Sequence, residues 1–422
     1  MTSALLAVAA LAGGSAPAAA PGPSPRPVWS VEAETAGSPP PSAARLAFVD
    51  EALAPSPARA AAPPPVNPVY QALRRAADEH RARWEGLPQT VVPVGPALGP
   101  GAGGERVHQL RLRLGLGGGQ TFDPALERTL RSYQQAHGLQ PTGRADADTI
   151  AALNSGEAPY ERLIAANLMR ARALPPIAGR RFILVNVAAG RLWLFEDGRA
   201  RGSMRVVVGK PDQQTPMMAG LIRYAVFNPY WNVPEDLVRD SLAPKVVRDG
   251  PGYFAAKHMQ ALSDWSDDAT ELDPARIDWA AVAAGRTNLR VRQRPGADNM
   301  MGAVKFMLPN PLGIYLHDTP DRALFLRQPR LFSSGCIRLE QASALARWLF
   351  GARGEAAARG GPDHRLELDE PVPVYITYLT VAPGQGGLAF YPDVYGRDPR
   401  LLAELGGPGD SPGAAPIRQA AR

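Results

Sequence analysis

The stretch Arg181–Lys210, "RFILVNVAAGRLWLFEDGRARGSMRVVVGK", decides how the chain is read. It alternates apolar and polar residues at the two-residue period of a strand and breaks twice. The breaks fall at Ala189-Gly190 and Asp197-Gly198. The second pair is a strong hairpin signal, because a two-residue turn needs the left-handed backbone that Asp and Gly tolerate. The stretch predicts strand, turn, strand, turn, strand. Working outward, "LIRYAVFN" (221–228), "NPLGIYLHD" (310–318) and "PVPVYITYLTVA" (371–382) read as further strands, and "EQASALARWLFG" (340–351) as a helix. A mainly β domain over 179–395, a sandwich or barrel with short helices, is expected.

Between two of these strands lies an insertion at 233–300. "VPEDLVRDSLAPKVVRDGPGYFAAKHMQAL" reads as helical, "DPARIDWAAVAAG" follows, and "RTNLRVRQRPG" closes it. Such an insertion must protrude, and a long one beside chemistry is expected to cap a substrate. Arg290, Arg292 and Arg294 alternate, which places them on one strand face. Upstream, "NPVYQALRRAADEHRARWEGLP" (67–88) and "EAPYERLIAANLMRARAL" (157–174) read as amphipathic helices, a scaffold over 67–100 and 156–178. They bracket a compact unit at 101–155. Its central helix has Asp123 as N-cap, Pro124 at the first position and Gly138 as stop.

The first twenty residues, "MTSALLAVAALAGGSAPAAA", carry a short apolar run and an Ala16-Pro17-Ala18 cleavage pattern, and read as a secretory signal peptide. Residues 21–66 are rich in Pro, Ala and Ser and read as a linker, and 396–422 as a flexible tail. At 422 residues, two to three domains are expected, taking roughly 150 residues per domain. The net charge of +6 suits an anionic partner, but no basic run is interleaved with aromatics, so nucleic acid is not expected. Six histidines (80, 108, 137, 258, 317, 364) form no HxxxH or HxH pair, and one cysteine makes neither a disulfide nor a Cys-rich zinc site. No dedicated metal site and no cofactor are expected.

That cysteine is Cys336, in "SSGCIR" (333–338), nineteen residues after His317. A thiol attacks a carbonyl as thiolate, and a nearby imidazole can supply the base. Gly335 lets the backbone turn beside the sulfur, and loop amides there can hold an oxyanion.

His317, the residues between, and Ser333-Ser334-Gly335-Cys336-Ile337-Arg338 resemble the active-site signature of the L,D-transpeptidases, whose catalytic domain is of the YkuD type. Ser334 stands where the family usually has a second histidine. "VVVGKPDQQTPMM" (206–218), "VFNPYWNVPEDL" (226–237) and "VRQRPGADNMMGAVKFMLPNPLGIYLHDTP" (291–320) resemble its YcbB-like branch. Ala125, Leu126, Tyr133, Gln134, Gly138, Leu139, Gly143, Thr149 and Leu153 resemble a three-helix peptidoglycan-binding module. The resemblance implies Cys336 as nucleophile, His317 as base, Ser333 as the group orienting His317, and Gly335 with the Cys336 amide as oxyanion site. It implies Arg338, Tyr315, Ser334 and Trp231 as substrate-binding residues. The implied reaction is 3-3 cross-linking of peptidoglycan stems by a monomer in the periplasm or cell envelope. Penicillin-binding proteins or carboxypeptidases would supply the tetrapeptides. A hydrolase, a protein-anchoring enzyme and a catalytically silent wall-binding protein are the alternatives.

Overall fold

A computed structural model of the chain describes residues 67–174, 180–384 and 387–405, together with the backbone strand β1 (Val28–Trp29). The signal-peptide segment lies outside the described residues, as does the linker apart from β1, which pairs with Met218 and Ala219.

Helix α1 (Pro68–Trp84) opens on Asn67, whose side chain accepts the Tyr70 N–H. The module follows as α2 (Glu105–Arg113), α3 (Pro124–Ala136) and α4 (Ala147–Ser155). Asp123 caps α3 through the Leu126 N–H and Asp146 caps α4 through the Thr149 N–H. Each such cap stabilises its helix by about 1 kcal/mol. Gly138 ends α3 at φ +70°, the conformation that makes glycine the usual helix stop. The scaffold returns as α5 (Ala158–Arg172).

The quoted stretch folds as β2 (Arg181–Asn186), β3 (Arg191–Glu196) and β4 (Arg199–Gly209). Asp197 and Gly198 both have positive φ, 51° and 73°, as the hairpin signal requires. After β5 (Met218–Phe227) come the cap strands β6 (Trp231–Val233), β7 (Met259–Leu262), β8 (Glu271–Leu272) and β9 (Arg290–Gln293). The domain resumes with β10 (Val304–Met307), β11 (Leu316–His317), β12 (Leu331–Ser333), β13 (Ile337–Leu339) and β14 (His364–Thr377).

The main strand order is β5-β10-β11-β13-β4-β3-β2-β14, and β14 pairs with β5 again, so the path closes on itself. Side-chain alternation explains why β2 is apolar from Phe182 to Val185. Ile183 and Val185 enter the core inside the closed sheet, while Phe182 and Leu184 enter a second core shared with the helices. The helix α6 (Ala342–Phe350) packs Leu345, Leu349 and Phe350 into the inner core.

The cap has its own four-stranded sheet, β6-β9-β7-β8, and its own core around Val246, Phe254, Trp279 and Val291. Its helical reading needs one correction: Met259–Leu262 is a strand, held by antiparallel pairing with β9. The tail reading is also corrected between 396 and 405. Asp398–Leu405 forms a helix, α7, and Arg397 and Asp398 are buried. Arg170 of α5 binds Asp398 at 2.5 Å, and the Thr380 hydroxyl donates to the same carboxylate at 3.1 Å. Among the described residues no helix is long and apolar enough to cross a membrane.

Candidate active site

Strands β11 and β13 run parallel, pairing Leu316 with Ile337 and His317 with Arg338. The Ile337 N–H bonds the Tyr315 carbonyl at 3.1 Å and carries the register one step back. Leu316 and Ile337 point into the inner core. By the two-residue alternation, Tyr315, His317, Cys336 and Arg338 therefore share the opposite face as a two-by-two array. On β10, Lys305 stands directly across from His317, so His317 sits between two cations, Lys305 and Arg338.

His317 is 2% exposed. Burial, then the Arg338 guanidinium and more weakly the Lys305 ammonium, push its pKa down to about 3, against backbone hydrogen bonds at Asp318 and Met301. The ring is thus neutral and able to accept a proton. Burial pushes the half-buried Cys336 thiol up, opposed by hydrogen bonds from the Tyr315 backbone and side chain and by Arg338. The sulfur lies 3.7 Å from the Gly313 carbonyl. Burial thus disfavours the charged form of both the thiol and the imidazole. Arg338 is itself half-buried, its Nε has no hydrogen-bond partner, and burial pushes its pKa down. A desolvated, unpaired guanidinium suits a carboxylate or a polarised carbonyl.

The nucleophile loop is fixed from below. Gly335 has φ +112°, a region open to glycine, and a Cβ there would meet Ile314 Cδ1 at 3.3 Å. Its carbonyl accepts the Thr215 hydroxyl at 2.8 Å, and Thr215 Oγ1 in turn accepts the Gly209 N–H. The Tyr395 hydroxyl donates to the Gly209 carbonyl at 2.7 Å.

The recorded bonds of Ser333 run to other partners. Its hydroxyl donates to the Cys336 carbonyl at 2.6 Å and its carbonyl accepts the Lys210 N–H at 2.9 Å. Neither bond runs to His317, whose buried Nδ1 has no hydrogen-bond partner, and backbone at Asp318 and Met301 stands beside its ring. The Gly335 N–H is likewise turned to Ser333 Oγ, at 3.3 Å. Ser334 is exposed, and Trp231 packs against the cap core. Arg290, Arg292 and Arg294 are each bonded within the cap, to Asp264 and Ser266, to Gln260, and to Glu271.

Sequence reasoning missed Lys305, Thr215 and Asn299. Buried Asn299 binds the Pro229, Gln293 and Arg294 carbonyls at the root of the cap and accepts the Met301 N–H at 2.8 Å. It ties the cap to the backbone beside His317. The only local signal was an asparagine in a turn-rich run, which is common in loops.

Fold and site together define a mainly β catalytic domain that presents a thiol, an imidazole and a guanidinium on one sheet face, carried on a helical scaffold. Residues 180–373 match the L,D-transpeptidase catalytic domain (YkuD), and residues 112–153 match the family "Putative peptidoglycan binding domain". These two stretches are thus similar to an L,D-transpeptidase catalytic domain and to a peptidoglycan-binding domain. It is 34% identical over 258 residues to a "Putative L,D-transpeptidase" of Haemophilus influenzae, covering 60% of this chain and 51% of that protein. The chain spans about half the length of that curated relative. It is also similar to two solved L,D-transpeptidase structures. The one from Mycobacterium smegmatis is 11% identical with a TM-score of 0.25, covering 48% of this chain and 60% of that one. The one from Xylanimonas cellulosilytica is 14% identical with a TM-score of 0.22, covering 67% and 98%.

Proposed function

We propose that the protein forms 3-3 cross-links between peptidoglycan stems by acyl transfer through Cys336. The observation that carries this reading is the shared face of Tyr315, His317, Cys336 and Arg338, with a glycine loop at the sulfur. His317 takes the thiol proton as sulfur attacks the carbonyl between the third and fourth residues of a tetrapeptide donor. The Cys336 N–H stabilises the oxyanion. The fourth residue leaves as an amine, protonated by His317. An acceptor amine then attacks the thioester, its proton passes to His317 and on to the sulfur, and the thiol is restored. Arg338 holds a donor carboxylate, Tyr315 steadies the thiolate, and the exposed Ser334 and the Trp231 rim border the entrance. The proposed place of action is the cell envelope, acting on stems trimmed by penicillin-binding proteins or carboxypeptidases, with the 101–155 unit on the glycan.

Purified protein incubated with tetrapeptide muropeptides, with products resolved by mass spectrometry, tests the reading. Dimers with 3-3 linkages are expected. Tripeptide alone would assign a hydrolase, and no product would leave a silent wall-binding protein. Cys336→Ala is expected to lose the covalent adduct that a carbapenem, an acylating mimic of the donor, forms with the native chain. An adduct persisting in that variant overturns Cys336 as nucleophile.

A further inference from the structure

Three segments far apart in sequence meet in the molecule's helical region. His80 comes from the C-terminal part of α1, His137 caps the end of α3, and Glu157 stands at the start of α5. His80 is 5% exposed, His137 fully buried and Glu157 9% exposed. One ligand atom from each lies within 4.8 Å of the others. His80 Nε2 is 3.2 Å from Glu157 Oε2, and His137 Nε2 is 3.0 and 3.1 Å from the two carboxylate oxygens.

The hydrogen atoms decide what this cluster is for. His137 Nδ1 lies 2.7 Å from the Tyr133 carbonyl, which only accepts, so Nδ1 carries the hydrogen. In a neutral ring Nε2 then presents a lone pair to a carboxylate that also only accepts. Two acceptors about 3 Å apart in a dry box repel unless a cation stands between them. The box is dry: Tyr133 stacks on His137 at 3.8 Å, and Tyr160 and Trp84 close on it edge-on at 4.6 and 5.6 Å. The Tyr133 hydroxyl, also buried there, has no hydrogen-bond partner.

We propose that His80, His137 and Glu157 bind one divalent transition-metal ion, Zn²⁺ by preference, which fastens the module to the scaffold. Two imidazoles and one carboxylate are a zinc ligand set. Ligands on one tetrahedral ion with bonds of about 2.0–2.1 Å stand roughly 3.3 Å apart, and the two nitrogen–oxygen spacings of 3.0 and 3.2 Å already approach this. The Tyr133 carbonyl on Nδ1 is the outer partner that a metal-bound histidine usually has, and it fixes the tautomer that aims Nε2 at the ion. Because the ligands come from α1, α3 and α5, binding stabilises the joint and, through the core it shares with the β domain, the folded chain.

The test uses the full tag-free chain carrying Cys336→Ala, so that the active-site thiol takes no metal and failure of the acyl-transfer reading does not touch the outcome. The metal-free protein receives Zn²⁺ and is dialysed, and bound metal is counted by mass spectrometry. About one equivalent per chain and a rise in melting temperature that EDTA reverses are expected. Co²⁺ in its place is expected to give visible d–d bands without a thiolate charge-transfer band. Glu157→Gln keeps the shape and gives His137 Nε2 an amide hydrogen, so it is expected to fold and to melt at a temperature that Zn²⁺ no longer moves. His80→Gln gives the same loss without touching the most buried ring. No retained metal in the Cys336→Ala chain, or an undiminished Zn²⁺ response in both variants, overturns the proposal. So does a ¹⁵N spectrum showing His137 doubly protonated at neutral pH in the Zn²⁺-treated chain, since a proton then does the ion's work.

Discussion

At the scale of the residue, the site rests on keeping His317 neutral while placing it on the same sheet face as a thiol. Burial and two flanking cations achieve this, and each cation makes a separable claim. Lys305→Met removes one positive neighbour, so the midpoint at which His317 protonates rises. Lys305→Arg restores it. Histidine ¹⁵N spectra across pH 3 to 7 read the midpoint directly, and an unchanged value in Lys305→Met defeats the assignment. The thiol makes the opposite statement. Because burial raises it, thiolate is scarce at neutral pH, and alkylation by iodoacetamide is expected to climb with pH through a midpoint above the ~8.5 of free cysteine. Tyr315→Phe removes a hydrogen bond that favours the thiolate, so alkylation at fixed pH falls by roughly tenfold, taking about 1.5 kcal/mol for a bond to a charged group. A reactivity plateau between pH 5 and 7 would instead mark a preformed thiolate–imidazolium pair. Cys336 and His317 were singled out by the resemblance that "SSGCIR" and "YLHDTP" carry, and the structure puts both on one sheet face. The role of Ser333 was not legible, because which groups its hydroxyl and carbonyl meet is set by β4 and the loop closure, and neither lies near it in sequence.

At the scale of the element, the Ser333–Cys336 loop is a turn pinned to the strand beneath it. Thr215 is the pin, joining the Gly335 carbonyl to the Gly209 N–H while fully buried. Thr215→Val keeps the volume and removes both bonds, leaving a buried donor and a buried acceptor unmet. A loss of about 2–3 kcal/mol in chemical denaturation is expected, with carbapenem acylation slowed more than tenfold while the far-ultraviolet circular dichroism is unchanged. Native acylation rates in that variant would show that the loop holds its shape alone. Turns with a residue signature were legible at this scale: Asp197-Gly198 adopts the positive φ its letters call for. Met259–Leu262 was not, because "KHMQAL" fits a helix as well as a strand, and only pairing with β9 decides it. Thr215 gave no signal either, since a threonine after "PDQQ" reads as an ordinary turn residue.

At the scale of the whole molecule, the helical scaffold and the catalytic domain share one core, while the cap keeps its own. Phe182, Leu184, Tyr375 and Leu379 of the β domain pack in one cluster with Leu73, Trp84, Leu130, Tyr160 and Ile164 of the helices. The same seam holds a buried polar knot in which Arg170, Asn167, Thr380 and Asp398 bond to one another. No local pattern announces this: "YGRDPRLLAEL" looks like a charged tail, and the burial of Arg397 and Asp398 follows from the surface that α5 and β14 present together. The metal ligands proposed for the joint escaped the sequence for the same reason, because their spacings of 57 and 20 residues match no ligand motif. The seam predicts how the protein unfolds. Arg170 and Asp398 are 8% and 9% exposed at their side chains, so Arg170→Met strands a buried carboxylate and costs about 3–5 kcal/mol. Because the lost contact lies on a core that both parts share, the scaffold and the β domain are expected to melt together at a lower temperature. The tryptophans Trp84 of the scaffold and Trp193 of β3, each retained alone in the native and Arg170→Met chains, report the two parts. Coincident transitions that shift together support a single cooperative body, whereas Trp84 melting ahead of Trp193 would make the scaffold a separate unit that merely rests against the catalytic domain.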